Sequence, residues 1–174
     1  MQGFVLTLCI LLLPFAQDQR KDSRTLRVEA DVQQQLFSLP YYTVFDFLAF
    51  RVEPAGTIRL LGQVVRPTLK DDAERRVKKV EGVETVINEI EVLPTSSTDD
   101  AIRLAVYRNV YRSDALDRYG LGSQPSIRII VKNGRVALEG VVDNESDKSI
   151  AGLKAREING VFEVKNNLTV SRPR

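Results

Sequence analysis

The chain has 174 residues, 43% hydrophobic and 28% charged, with 25 Lys and Arg against 23 Asp and Glu. That is globular composition, and a formal charge of +2 gives no electrostatic case for nucleic acid. There is no His, no Trp and one Cys. These absences remove the usual general base, the His-containing triads, the commonest metal ligand, an intrachain disulfide and any cysteine-based zinc site.

The chain opens with "MQGFVLTLCILLLPFA", Met1 to Ala16. This run is shorter than the roughly 20 residues that span a bilayer, and it fits the apolar region of a secretory signal peptide. Residues 1–16 are therefore expected to be a signal peptide and 17–23 a polar leader. The run lacks a preceding positive charge, and Pro14 stands where a small residue is usual before cleavage. Cys9 follows Leu8 rather than a small residue, which argues against a lipoprotein.

The remainder reads as one unit written twice. Gly56–Val92 and Gly134–Val170 align without a gap at a fixed shift of 78 residues. Gly62 matches Gly140, Ala73 matches Ala151, Gly82 matches Gly160, Asn88 matches Asn166, and Val92 matches Val170. The expected units cover 24–93 and 99–171, joined by a polar linker at 94–98.

In the first unit a helix is predicted over Thr25–Phe37, then a strand through Leu48, Phe50 and Val52. Ile58, Leu60 and Val64 alternate as a second strand. Thr68 is the expected helix N-cap, with Asp71 completing a capping box. Leu69, Ala73, Val77 and Val80 form its apolar face, and Gly82 ends it. A last strand runs through Val86, Asn88, Ile90 and Val92.

The second unit repeats the order. A helix is predicted over Asp100–Ala115, capped by Thr98 or Asp99. A strand follows over Ile127–Val131, then an Asn133-Gly134 hairpin turn and a strand through Val136, Leu138 and Val142. Ser146 caps the next helix, which carries Ala151, Ala155 and Ile158 and stops at Gly160. Gly56, Gly62, Gly82, Gly134, Gly140 and Gly160 are the structural glycines of this plan. Each unit alone would be marginal, so the two are expected to pack together.

The pattern of strand, Gly-x-Ile/Val-x-Leu-x-Gly-x-Val, Ala-containing helix and Gly-Val-x-x-Val-x-Asn-x-Ile/Leu-x-Val resembles the BON domain, in two tandem copies. The resemblance implies an α+β fold of two αββαβ units, each a small three-stranded mixed sheet packed on two helices. It also implies a non-enzymatic protein of the periplasm or cell envelope that associates with phospholipid surfaces. The alternative is an adaptor that binds another envelope protein or a cell-wall polymer.

No nucleophile–base pair or metal constellation can be assembled, so no catalytic residue, metal, cofactor or small-molecule substrate is expected. Asp71, Asp72 and Glu74 suit the start of a helix. Asp143, Glu145 and Asp147 lack a full calcium-loop spacing. Arg75, Lys78 and Lys79 share a helical face, either solvated or turned to anionic lipid. "LPYYTVFDFLAF" and the preceding Phe37 hold six of the twelve Phe and Tyr residues. Phe37 and Phe50 are expected in the core. Tyr41, Tyr42, Phe45 and Phe47 have no counterparts in the second unit, so they either pack against it or touch a membrane or partner.

Overall fold

The computed structural model describes residues 23–121 and 124–171. The expected signal peptide, with Cys9, lies outside them. The first unit contains α1 (Ser23–Phe37), β1 (Phe47–Glu53), β2 (Thr57–Val64), α2 (Pro67–Val77), β3 (Thr85–Asn88) and β4 (Glu91–Val92). The second contains α3 (Ser97–Tyr111), a 3-10 turn at Asp117–Gly120, β5 (Ile127–Lys132), β6 (Arg135–Val142), α4 (Glu145–Arg156), β7 (Glu163–Asn166) and β8 (Thr169–Val170).

Each unit is a mixed sheet with two helices on one face. β1 runs antiparallel to β2, and β2 pairs parallel with β3 and β4; β5 to β8 repeat this arrangement. The alternation read from sequence places Ile58, Leu60 and Val64 under Val28, Val32 and Leu36 of α1 and Leu69, Ala73 and Val77 of α2. Val136, Leu138 and Val142 do the same beneath Ile102, Val106 and Val110 of α3 and Ala151 and Ala155 of α4. Gly62 and Gly140 have φ of 118° and 119°, and a Cβ there would lie 2.0 Å from the Phe47 carbonyl oxygen and 1.9 Å from that of Ser126. Only glycine lets the first strand of each hairpin approach the second this closely.

Several boundaries differ from expectation. The last strand is broken, which gives each sheet four strands rather than three. Asn88 causes the break in the first unit. Its amide nitrogen donates to the Lys70 carbonyl at 3.0 Å, and its amide oxygen accepts from Ile90 N at 3.2 Å. Asn166 makes the same bonds to Lys148 and Leu168, at 2.7 and 3.3 Å. Each kink turns the next apolar residue, Ile90 or Leu168, fully inward.

Helix starts lie earlier than predicted. Pro67 occupies the first turn of α2 behind Arg66, so Thr68 does not cap and Asp71 closes no capping box. Asn144 replaces Ser146 as the cap of α4, accepting from Asp147 N, and Ser96 replaces Thr98 or Asp99 at α3, accepting from Asp99 N. α3 ends at Tyr111, short of Ala115, and α2 and α4 end at Val77 and Arg156, before the turns closed by Gly82 and Gly160.

The units pack against each other through the connection between α1 and β1. Val44 O accepts from Ile129 N at 2.9 Å, on the outer edge of β5. The Arg128 guanidinium donates to Thr43 O at 2.9 Å and lies 4.4 Å from the centre of the Tyr42 ring. Phe45 meets Tyr107 edge to face at 6.0 Å, and Lys132 pairs with Glu91. As a result β5 is buried on both faces over Ile127–Val131, whereas β1 is only partly covered.

Candidate functional site

The aromatic connection divides by backbone geometry. Tyr42 is buried, and its hydroxyl accepts from Leu48 N at 3.3 Å. Burial pushes its phenol pKa up, with the Arg128 charge opposing. Phe45 packs on the second unit, and Phe47 is half-buried at the start of β1. These three rings therefore belong to the fold and the junction between units, not to one open patch. Asp46 organises the bend between them: its carboxylate accepts from Thr43 N at 2.9 Å and from Val65 N at 2.8 Å.

Tyr41 is the exception. It is 70% exposed and has φ of 63°, a left-handed conformation that a bulky residue seldom adopts. The Arg66 guanidinium lies 5.1 Å from its ring centre. Phe37, expected in the core, is 44% exposed at the end of α1 and stacks on Tyr42 at 6.4 Å. The inward stripe of α1 ends one residue earlier, at Leu36. Phe50 is half-buried and packs against the core of the first unit.

The basic residues sort in a similar way. Arg75 pairs with Asp72, and Lys78 with Glu74 at 2.6 Å, both along α2. The Lys78 hydrogen bond, then Asn88, holds the Glu74 carboxyl below the usual range. Lys79 is exposed with no ion-pair partner among the described residues. Arg76 donates to Ser38 Oγ at 3.0 Å, just beyond α1. The connection that leaves α1 thus meets α2 at both of its ends, Ser38 at Arg76 and Tyr41 at Arg66. Of the sequence-derived set, Tyr41, Arg75, Lys78 and Lys79 are exposed, Arg75 and Lys78 being engaged in surface ion pairs; Phe37, Arg66 and Arg76 lie near the connection as well. The signal for Arg66 was its nearness in sequence to the α2 cluster; nothing linear pairs it with Tyr41.

Among the acidic residues, Asp147 is tied into the fold of the second unit. Asp147 is buried, and its carboxylate takes the Tyr119 hydroxyl at 2.5 Å, the Asn144 amide at 2.8 Å and Arg118. No cluster of His, Cys, Asp or Glu fit for a metal ion occurs among the described residues, and no described helix is long and apolar enough to cross a membrane.

The model of the BON domain family matches residues 26–94 and again 98–172. The chain belongs to the BON-domain family. BON domains are associated with proteins of membranes and the cell envelope, and the family is in general non-catalytic. No curated protein matches the chain. Among solved structures it is similar to the C-terminal domain of CdsD, a structural protein of the type III secretion system of Chlamydia trachomatis. That pair shares 13% identity over 88% of this chain and 100% of the other, with a TM-score of 0.28. A second structure of CdsD from the same system gives 13% identity, 83% and 93% coverage and a TM-score of 0.30. In both BON units the six structural glycines have positive φ, from 68° to 119°.

Proposed function

We propose that this tandem BON protein is an exported, non-enzymatic component of the cell envelope that associates with phospholipid surfaces through the end of its first unit. The observation that supports this reading most is Tyr41, 70% exposed at φ 63° with the Arg66 guanidinium over its ring. A ring with an apolar body and a polar tip suits the membrane interface. Arg66 lies over its ring, Arg76 reaches Ser38, and Lys79 is exposed just past α2; none of the three has an ion-pair partner among the described residues. Cations at an anionic surface contribute about 1 kcal/mol each, so these three support weak, salt-sensitive, reversible attachment.

The test is co-sedimentation with vesicles of phosphatidylglycerol and phosphatidylethanolamine, and with neutral phosphatidylcholine vesicles. Binding is expected to the anionic vesicles at low salt, falling steeply at 0.5 M salt. The triple variant Tyr41→Ala, Arg66→Ala, Arg76→Ala is expected to lose it while keeping the native circular dichroism. Absence of binding to either vesicle, or binding unchanged in the variant, would overturn the proposal. A native partner captured independently of lipid would instead favour the adaptor reading.

A further inference from the structure

α1 and α3 have the same length and the same buried stripe, Val28, Val32, Leu36 in one and Ile102, Val106, Val110 in the other. This correspondence aligns Thr25 with Asp99, Glu29 with Arg103 and Phe37 with Tyr111. In the second unit these residues close the outer edge of β5 and the turn beyond it. Tyr111 donates its hydroxyl to Ile127 O at 2.5 Å, and Arg103 donates to Val131 O at 2.7 Å. Asp99 accepts from Asn133 N and Gly134 N, each at 2.8 Å. With Val44 O on Ile129 N, Ile127 O, Ile129 N and Val131 O along this edge all have partners. Asp99 and Arg103 are buried for that reason.

The first unit keeps the same main-chain groups and lacks the plugs. Ala55 and Gly56 have φ of 57° and 68°, close to 52° and 71° at Asn133 and Gly134, although the first turn holds one residue more, Pro54. Phe37 has no hydroxyl to offer β1, and Thr25 has no carboxylate. Tyr42 reaches Leu48 N, but among the described residues nothing bonds the outward groups of Phe50 and Val52 or the amides of Ala55 and Gly56. A cavity of about 500 Å³ opens at this place, lined by Thr25, Val52, Ala55 and Gly56. Arg24, itself engaged, lies at its rim with Glu53 and Glu84, and Glu53 is paired with Arg59 at 2.7 Å.

We propose that this open groove binds an extended acidic segment of a partner protein. The segment pairs its main chain with Phe50 and Val52 and sets a carboxylate on the Ala55 and Gly56 amides. The second unit supplies the template: a carbonyl on the strand amide, donors on the strand carbonyls, and a carboxylate on the turn. An unpaired strand edge accepts such a segment by adding a strand. The groove lies at the start of α1 and Tyr41 beyond its end, so peptide and lipid would meet opposite ends of the unit and can be tested separately.

The experiment is an amide chemical-shift titration of the 15N-labelled protein with the blocked peptide Ac-Thr-Val-Thr-Val-Asp-NH2, and with its Asn-ended counterpart. Shifts are expected at Phe50, Val52, Ala55 and Gly56 and not at Ile129, Val131, Asn133 or Gly134. The Asn peptide is expected to bind about tenfold more weakly, since it lacks the charged acceptor. Thr25→Asp, which installs the second unit's plug, is expected to abolish the shifts without loss of fold. The proposal is overturned if millimolar peptide shifts nothing in the first unit, if Asp and Asn peptides bind alike, or if the Thr25→Asp protein binds as before.

Discussion

β1 and β5 hold the same place in their units, yet they live in different surroundings. β5 is buried on both faces, with Ile127, Ile129 and Val131 turned to its own helices and Arg128 and Ile130 covered on the other side. β1 carries Ala49 and Arg51 where β5 carries Arg128 and Ile130, and Arg51 is exposed. The duplicated core is thus retained while the two outer faces have diverged into different roles. One supports a junction and the other stays open. The same divergence reaches single hydrogen bonds. The amide that follows β2, Val65 N, is held by the Asp46 carboxylate, whereas its equivalent Asp143 N is held by the Tyr119 hydroxyl at 2.9 Å. Leu69 fills the apolar core where its counterpart Asp147 anchors that tyrosine.

Features common to both units should respond alike to substitution. Gly62→Ala and Gly140→Ala each drive a Cβ into a backbone oxygen at a φ that alanine resists. Each is expected to cost about 4 kcal/mol, read as a large fall in the midpoint of denaturant unfolding. A loss confined to one unit would break the equivalence. The next largest effect belongs to the junction alone. Arg128→Ala removes the donors to Thr43 O and Gln124 Oε1 and the cation over Tyr42. It should cost about 2 kcal/mol, because charge-assisted hydrogen bonds at the junction are lost. It should also raise amide exchange at Ile129, whose bond to Val44 lies beside it. Unchanged exchange there would mean that the units hold together without this arginine.

The duplication and the core were legible in sequence because burial follows alternation and helical spacing, and those periods survive substitution in both copies. The six glycines were legible for a related reason: a positive φ or a close backbone approach admits little else. The broken last strand was not legible. Asn88 and Asn166 sit in phase with the apolar residues, and only the reach of each amide to Lys70 O or Lys148 O reveals a kink. The caps were missed because Pro67 and Asn144 compete with nearby Thr and Ser residues that read equally well. The surface was hardest. Tyr41 and Tyr42 are neighbours in sequence, yet a single left-handed residue sends one into solvent and the other into the core. Linear spacing likewise could not place Arg66 over Tyr41 or Arg128 over Tyr42, since each pairing depends on how separate elements meet.

Acid titration gives the smallest effect and sharpens the comparison last. With no His in the chain, no side chain of ordinary pKa titrates near neutrality, so stability should be flat there. Glu91 is held below the usual carboxylate range first by its hydrogen bond to Lys132 across the junction, then by the Lys132 charge and Gln63. Glu157 is held down within the second unit by Asn109 and then Lys154, and Glu74 within the first by Lys78 and then Asn88. A carboxylate with a depressed folded pKa favours the native state above its unfolded pKa, and that contribution disappears as pH falls through the folded value. Stability should therefore hold down to the ordinary carboxylate range and decline below it. All three reach solvent, Glu157 the most, so each contribution is small and screened by salt. Glu91 alone links the two units. Glu91→Gln should leave each core intact but remove the acid-dependent part of the junction, seen as amide exchange at Ile129 and Lys132 that no longer rises at low pH. If exchange in the variant still rises as in the parent, acid loosens the junction through another group, and the pairing of Glu91 with Lys132 is only a surface contact.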